Sequence, residues 1–227
     1  MAHSVLVIAD SGSGKSTSIR DLDPKETFII NIANKPLPFK GWKKNYTAIT
    51  KDNPKGNMAA TATAAGIMKA MMHVNDKMPH IKNLVIDDWQ YMSSFEYFDR
   101  ADEKGYDKFT SIAKNLAQVA KMPKDMRDDL YIFFLTHSEE STDVNGHRKV
   151  KAKTVGKMID NALTLEGLFS IVLFGKVVKG EDDKLSYVFE TVNNGENTCK
   201  SPDGMFDDAR IDNSLKVVKN AIIEYEN

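Results

Sequence analysis

The chain has one cysteine, Cys199, so it can form no internal disulfide, and its composition suits a reducing compartment such as the cytoplasm. It has almost no net charge. Lys and Arg total 31 against 32 for Asp and Glu, which leaves -1. Overall charge argues neither for nor against nucleic acid, and any basic surface must be local. No apolar run approaches the roughly 18 residues needed to cross a bilayer, so no membrane partner is expected. The N-terminal run SVLVI is stopped by Asp10 and lacks a basic leader, so it does not read as a signal peptide. Arginine is scarce, and Arg20, Arg100, Arg127, Arg148 and Arg210 are scattered. That argues against a nucleotide kinase, which needs a lid that is often arginine-rich. The five histidines show no metal-ligand spacing, and no Ser/His/Asp or Cys/His arrangement stands out. There is no internal repeat, low-complexity tract or linker, and residues 1–227 read as one domain.

Hydrophobic residues make up 41% of the chain, enough for a substantial core. They fall into strands alternating with helices. The apolar runs are VLVI (5–8), TFIINI (27–32), NLVI (83–86) and LYIFFLT (130–136). Helices are expected over about 15–22, 58–74, 91–102, 108–122 and 214–226. Residues 35–44, KPLPFKGWKK, read as a loop because two prolines forbid regular structure. LFSIVLFGKVV and LSYVFETV pair as a hairpin across GEDDK. Buried strands alternating with helices predict an α/β fold: a mostly parallel sheet, helices on both faces and a C-terminal β-hairpin.

Residues 8–17 read IADSGSGKST between an expected strand and an expected helix. This is the phosphate-loop pattern, with Ala9 where the first glycine belongs. Asp10, Ser11, Gly12, Ser13, Gly14, Lys15, Ser16 and Thr17 are the candidate nucleotide-binding residues. Backbone N–H groups would face phosphates, Lys15 would reach the outer ones, and Ser16 would hold magnesium. The helix N-terminus would add positive charge. Ala9 is tolerable if its φ is negative. NLVIDDWQ is an apolar strand ending in acids. Asp87 is the candidate magnesium ligand and Asp88 the group that orients or deprotonates water. The strand LYIFFLT ends in Thr136, His137 and Ser138, where His137 could feel the terminal phosphate.

Together ADSGSGKS, LVIDDWQ, FFLTHSEE, KTVGKMIDNALTLEGLFSIVLFGKV and NNGENTCKSPDGMF resemble the RecA-like ATPases, specifically the short phage-encoded RecA-core proteins of the Sak-type single-strand annealing group, also described as AAA-family ATP-binding proteins. The resemblance implies a RecA-like P-loop NTPase core in which the fourth strand separates the acid-ending strand from the phosphate-loop strand. It also implies ATP, Mg2+, assembly of copies into a ring or filament, single-stranded DNA, and a single-strand DNA-binding protein as a further partner. One departure is plain. RecA-like enzymes usually carry a catalytic glutamate at the end of the second strand, and here the segment reads NIANKPLPF, with Asn31 and Asn34 and no acid. Asp88 takes over, or turnover is slow; Glu139 and Glu140 are weaker substitutes.

Residues 147–157, HRKVKAKTVGK, hold Arg148, Lys149, Lys151, Lys153 and Lys157 with no acid. In RecA-like proteins this position carries a mobile DNA-binding loop, and such cations would give salt-dependent, sequence-independent affinity. The segment also reads as a solvated basic hairpin. KPLPFKGWKK is the other candidate, although Phe39 and Trp42 read better as pinning the loop or stacking adenine. Lys176, Lys179 and Lys200 are candidates, by position alone, for a basic residue reaching a neighbour's phosphate.

Overall fold

The computed structural model describes residues 1–142, 146, 148–156, 163–180 and 183–227. Among these, nine strands form one mixed, mostly parallel sheet: β1 (His3–Ala9), β2 (Thr27–Asn31), β3 (Met58–Ala59), β4 (Asn83–Asp87), β5 (Tyr131–Thr142), β6 (Arg148–Ala152), β7 (Ile171–Lys179), β8 (Leu185–Glu190) and β9 (Arg210–Asp212). Their order is β3-β2-β4-β5-β1-β7-β8-β9, with β6 pairing β5 beyond the main sheet. All pairs from β3 to β7 are parallel, while β5–β6, β7–β8 and β8–β9 are antiparallel. The expected C-terminal hairpin is β7–β8, and β5 lies between β4 and β1.

Strand side chains alternate between faces, and each face has its own core. Leu6, Ile8, Phe28, Ile30, Leu84, Ile86, Ile132 and Phe134 pack under α2 (Ala64–Lys77), α3 (Gln90–Asp99) and α4 (Asp107–Lys121). Val5, Val7, Ile29, Val85, Phe133 and Leu135 pack on the other side with Leu215, Val218 and Ile222 of α5 (Leu215–Glu226). These strands are covered on both faces, which is why they read as continuous apolar runs.

Four sequence expectations are corrected. The helix over 15–22 is a six-residue 3-10 helix, Ser16–Asp21. Ser16, Thr17 and Ser18 are weak helix formers, the Ser18 hydroxyl donates to the Lys15 carbonyl at 2.6 Å, and Pro24 blocks extension. The helix over 58–74 begins at Ala64. Thr63 caps it by accepting from the Gly66 N–H at 3.1 Å, and Met58–Ala59 instead form β3 against β2. The strand over 130–136 runs on to Thr142, because β6 supplies a partner for its polar half. Within 35–44 a single short helix, α1 (Trp42–Asn45), begins.

Candidate functional site

Parallel strands leave a crevice beyond their C-terminal ends, and the marked residues collect there. Ala9 pairs with His137 across β1–β5, and Asn31 with Asp87 across β2–β4. The turn after β1, the end of β5, the loop after β2, Tyr187 of β8 and Asn213 just past β9 surround a cavity of about 650 Å³. Asp10, Ser11, Gly12, Gly14, Lys15, Ser16, Thr17 and His137 line it, joined by Arg20, Lys35, Tyr187 and Asn213.

Ala9 fits in place of glycine for a reason visible across the sheet. It ends β1 in extended backbone, and its partner on β7 is Gly175. A Cβ on Gly175 would stand 2.9 Å from that of Ala9. The glycine the loop lacks is therefore supplied by the neighbouring strand. The turn closes on Asp10, whose carbonyl accepts from the Ser13 hydroxyl at 2.7 Å. Gly12 and Gly14 have φ of 82° and 86°, in the left-handed region that glycine populates freely. Gly14 has a second constraint, since a Cβ there would lie 3.0 Å from both Asn213 Oδ1 and Tyr187 Cδ1. Among the described residues nothing accepts from the backbone N–H of Gly12 or Gly14.

Beneath the turn lie two carboxylates, and they differ. Asp87 Oδ1 accepts from the Ser16 hydroxyl at 2.7 Å, while Oδ2 is buried without a partner. Burial, reinforced by the charge of Asp88, pushes the Asp87 carboxyl above its ordinary range. Asp88 has no solvent exposure. Its Oδ1 receives Lys15 Nζ at 2.7 Å and stands 3.5 Å from His137 Nε2, and Lys35 Nζ pairs with Oδ2. Burial opposes the charge on Asp88, but the hydrogen bond from His137 and the charge of Lys15 outweigh it and hold the carboxylate well below its usual range. Lys35 is shifted upward for the reciprocal reason: burial works against its charge, and its hydrogen bond to Asp88 prevails. Asp88 also has φ 60°, a left-handed geometry that Asp tolerates better than most residues. Trp89 holds it there, donating its backbone N–H to the Leu135 carbonyl at 2.8 Å and packing edge-on against Phe134 and Phe169.

The structure brings Lys15, Ser16, Asp87, Asp88 and His137 together. Asp10 accepts from the Ser138 hydroxyl at the end of the β5 core. Sequence reasoning missed Lys35, Gln90 and Asn213. Gln90 Oε1 accepts from the His137 N–H at 3.1 Å and so ties α3 to the end of β5. Its place just after the paired acids was the only signal for it. Asn31 forms no part of the cavity wall. Its amide donates to the Lys35 carbonyl at 2.7 Å and closes a turn.

Of the two readings of the basic segment, the hairpin holds: Arg148–Ala152 is a strand antiparallel to β5, and the acids facing it come from β5. Lys151 lies opposite Glu139 in β5–β6, with Nζ 3.2 Å from the carboxylate, and Val150 lies opposite Glu140. Arg148, Lys149 and Lys153 are exposed, and Lys157 lies outside the described residues. In the loop after β2, Phe39 and Trp42 pack on the core as pins. Lys176 reaches Glu190 at 3.5 Å and Lys179 reaches Asp183 at 2.7 Å, while Lys200 is exposed.

The site offers a metal ion few protein donors. Among the described residues no three His, Cys, Asp or Glu side chains could hold a metal ion together. One hydroxyl beside a carboxylate oxygen without a partner fits an ion that keeps waters and takes its other oxygens from phosphates. Among the described residues no helix is long and apolar enough to cross a membrane. No family model matches the chain, and no curated protein matches it.

Proposed function

We propose that this chain binds ATP with magnesium in the crevice after β1, as a RecA-like P-loop protein, and acts on single-stranded DNA in phage recombination or strand annealing. One observation carries the nucleotide reading: a left-handed glycine turn with unpaired N–H groups sits beside Lys15, Ser16 and a buried Asp87 oxygen without a partner. The turn N–H groups and Lys15 would hold the phosphates, and Ser16 with Asp87 would hold the magnesium. Bound magnesium would offset charge on the outer phosphates. The 3-10 helix is too short to add much dipole, so backbone N–H groups and Lys15 carry the binding. Asp88 would orient water and His137 would steady Asp88. The exposed cations of β6 would track a nucleic-acid backbone, and copies would assemble along it as a ring or filament, alone or with a single-strand DNA-binding protein.

The same geometry favours a second reading of the chemistry. An Asp88 carboxylate paired with Lys15, Lys35 and His137 is a weak base. On that reading the protein is a nucleotide-gated scaffold with little turnover, or an accessory ATPase driven by a protein partner. ATP hydrolysis with and without single-stranded DNA, at low salt and with Lys15→Ala as control, separates the two. DNA-stimulated turnover that Lys15→Ala abolishes supports the first. Binding without turnover supports the second. ATP affinity unchanged by Lys15→Ala removes both.

A further inference from the structure

β2 ends at Asn31, and the chain reverses within four residues to enter the loop over the cavity. Asn31 fixes that reversal twice: its amide donates to the Lys35 carbonyl at 2.7 Å, and its Oδ1 accepts from the Lys35 N–H at 3.3 Å. Asn34 between them has φ 49°, left-handed backbone that Asn tolerates. Lys35 is therefore delivered by a built turn rather than lying loose on the surface.

Its ammonium group pairs with Oδ2 of the carboxylate whose Oδ1 holds Lys15 at 2.7 Å. One buried carboxylate thus places two ammonium groups at the same end of the cavity. Lys15 is on the inner flank with its side chain 6% exposed, and Lys35 is on the outer flank at 46%. A lysine ammonium has three donors, and among the described residues Asp88 is the only acceptor for that of Lys35. The remaining donors belong to a residue that lines the cavity.

We propose that Lys35 is a second phosphate-contacting lysine, which engages the terminal phosphate of a nucleoside triphosphate and lets the site select triphosphate over diphosphate. This rests on the nucleotide site proposed above. A triphosphate approaching Asp87 and Asp88 meets two carboxylates, and a second cation on the open flank offsets that repulsion where the ligand's charge is greatest. A diphosphate reaches Lys15 but leaves Lys35 on Asp88.

The test uses N-methylanthraniloyl ATP and ADP with magnesium, titrated against the unmodified protein, Lys35→Met, Lys35→Arg and Lys15→Ala, each checked for folding by circular dichroism. Lys35→Met should weaken the triphosphate by about tenfold or more, as expected for one charge-assisted hydrogen bond, and leave the diphosphate within about twofold. Lys35→Arg should restore most of the loss. Equal weakening of both nucleotides, or of neither, overturns the proposal. If Lys15→Ala abolishes binding while Lys35→Met changes nothing, the role of Lys35 alone falls. If Lys15→Ala also changes nothing, the nucleotide site falls and takes Lys35 with it.

Discussion

Ala9 and Gly175 are partners across β1–β7, and a Cβ on Gly175 would stand 2.9 Å from that of Ala9. The two positions share room for one methyl group. Gly175→Ala should cost about 1–3 kcal/mol by overpacking. Pairing it with Ala9→Gly should return most of that loss, a coupling that urea unfolding of both single variants and the double variant will measure. Independent costs that simply add would show that the strands already have the space.

Ser16 and Asp87 predict how magnesium enters. Ser16→Ala should remove the magnesium dependence of ATP binding and leave much of the metal-free affinity, since Lys15 and the glycine turn are untouched. Asp87→Asn should do the same and also raise the stability of the free protein, because it removes a buried charge that burial disfavours. Titrations with and without magnesium, with thermal unfolding alongside, check both.

Asp88 predicts a pH dependence of definite sign. Its folded-state pKa lies below the ordinary 3.8, so its stabilising contribution is complete above that value and is lost as pH falls toward the folded pKa. Asp88→Asn keeps a residue that tolerates φ 60° but leaves buried Lys15 without its counter-charge. The loss at pH 7 should be about 3–5 kcal/mol. The gap to the unmodified protein should narrow steadily below about pH 4. Asp87 has the opposite sign and is raised partly by the charge of Asp88, so the two proteins differ in it as well, and the comparison is read below about pH 4, where the raised Asp87 carboxyl is protonated. A gap that widens in acid would refute the assignment.

The β5–β6 pair predicts a charge balance on nucleic acid. Replacing Arg148, Lys149 and Lys153 by Gln should weaken single-stranded DNA binding and flatten its salt dependence, by about 0.7 in slope for each phosphate no longer neutralised. Glu139→Gln should act the other way, because Glu139 holds the Lys151 ammonium at 3.2 Å and offsets its charge. Fluorescence anisotropy at several salt concentrations reads both, and affinities that do not move would dissociate this strand from DNA.

The alternation of strands and helices was legible because apolar runs, prolines and glycines are local signals. The pattern ADSGSGKS and the acids of NLVIDD were legible as well, since their spacing reflects one turn and one strand end. The place of β5 between β4 and β1 is a long-range fact that periodicity does not encode. Lys35 was not legible as a site residue. Its role depends on the local turn that Asn31 closes and, beyond that, on β2 and β4 standing side by side, which is a long-range fact. The β6 strand was legible only as one of two readings of its segment, the basic hairpin. HRKVKA carries no clear strand pattern, and it becomes a strand only because the polar half of β5 offers it a partner.

The sheet finishes in strands of two and three residues, β3 and β9. Borders so short offer few unsatisfied backbone groups on which a foreign chain could template a further strand. These two borders are therefore poor templates for copies of the chain to fuse edge to edge into a continuous sheet.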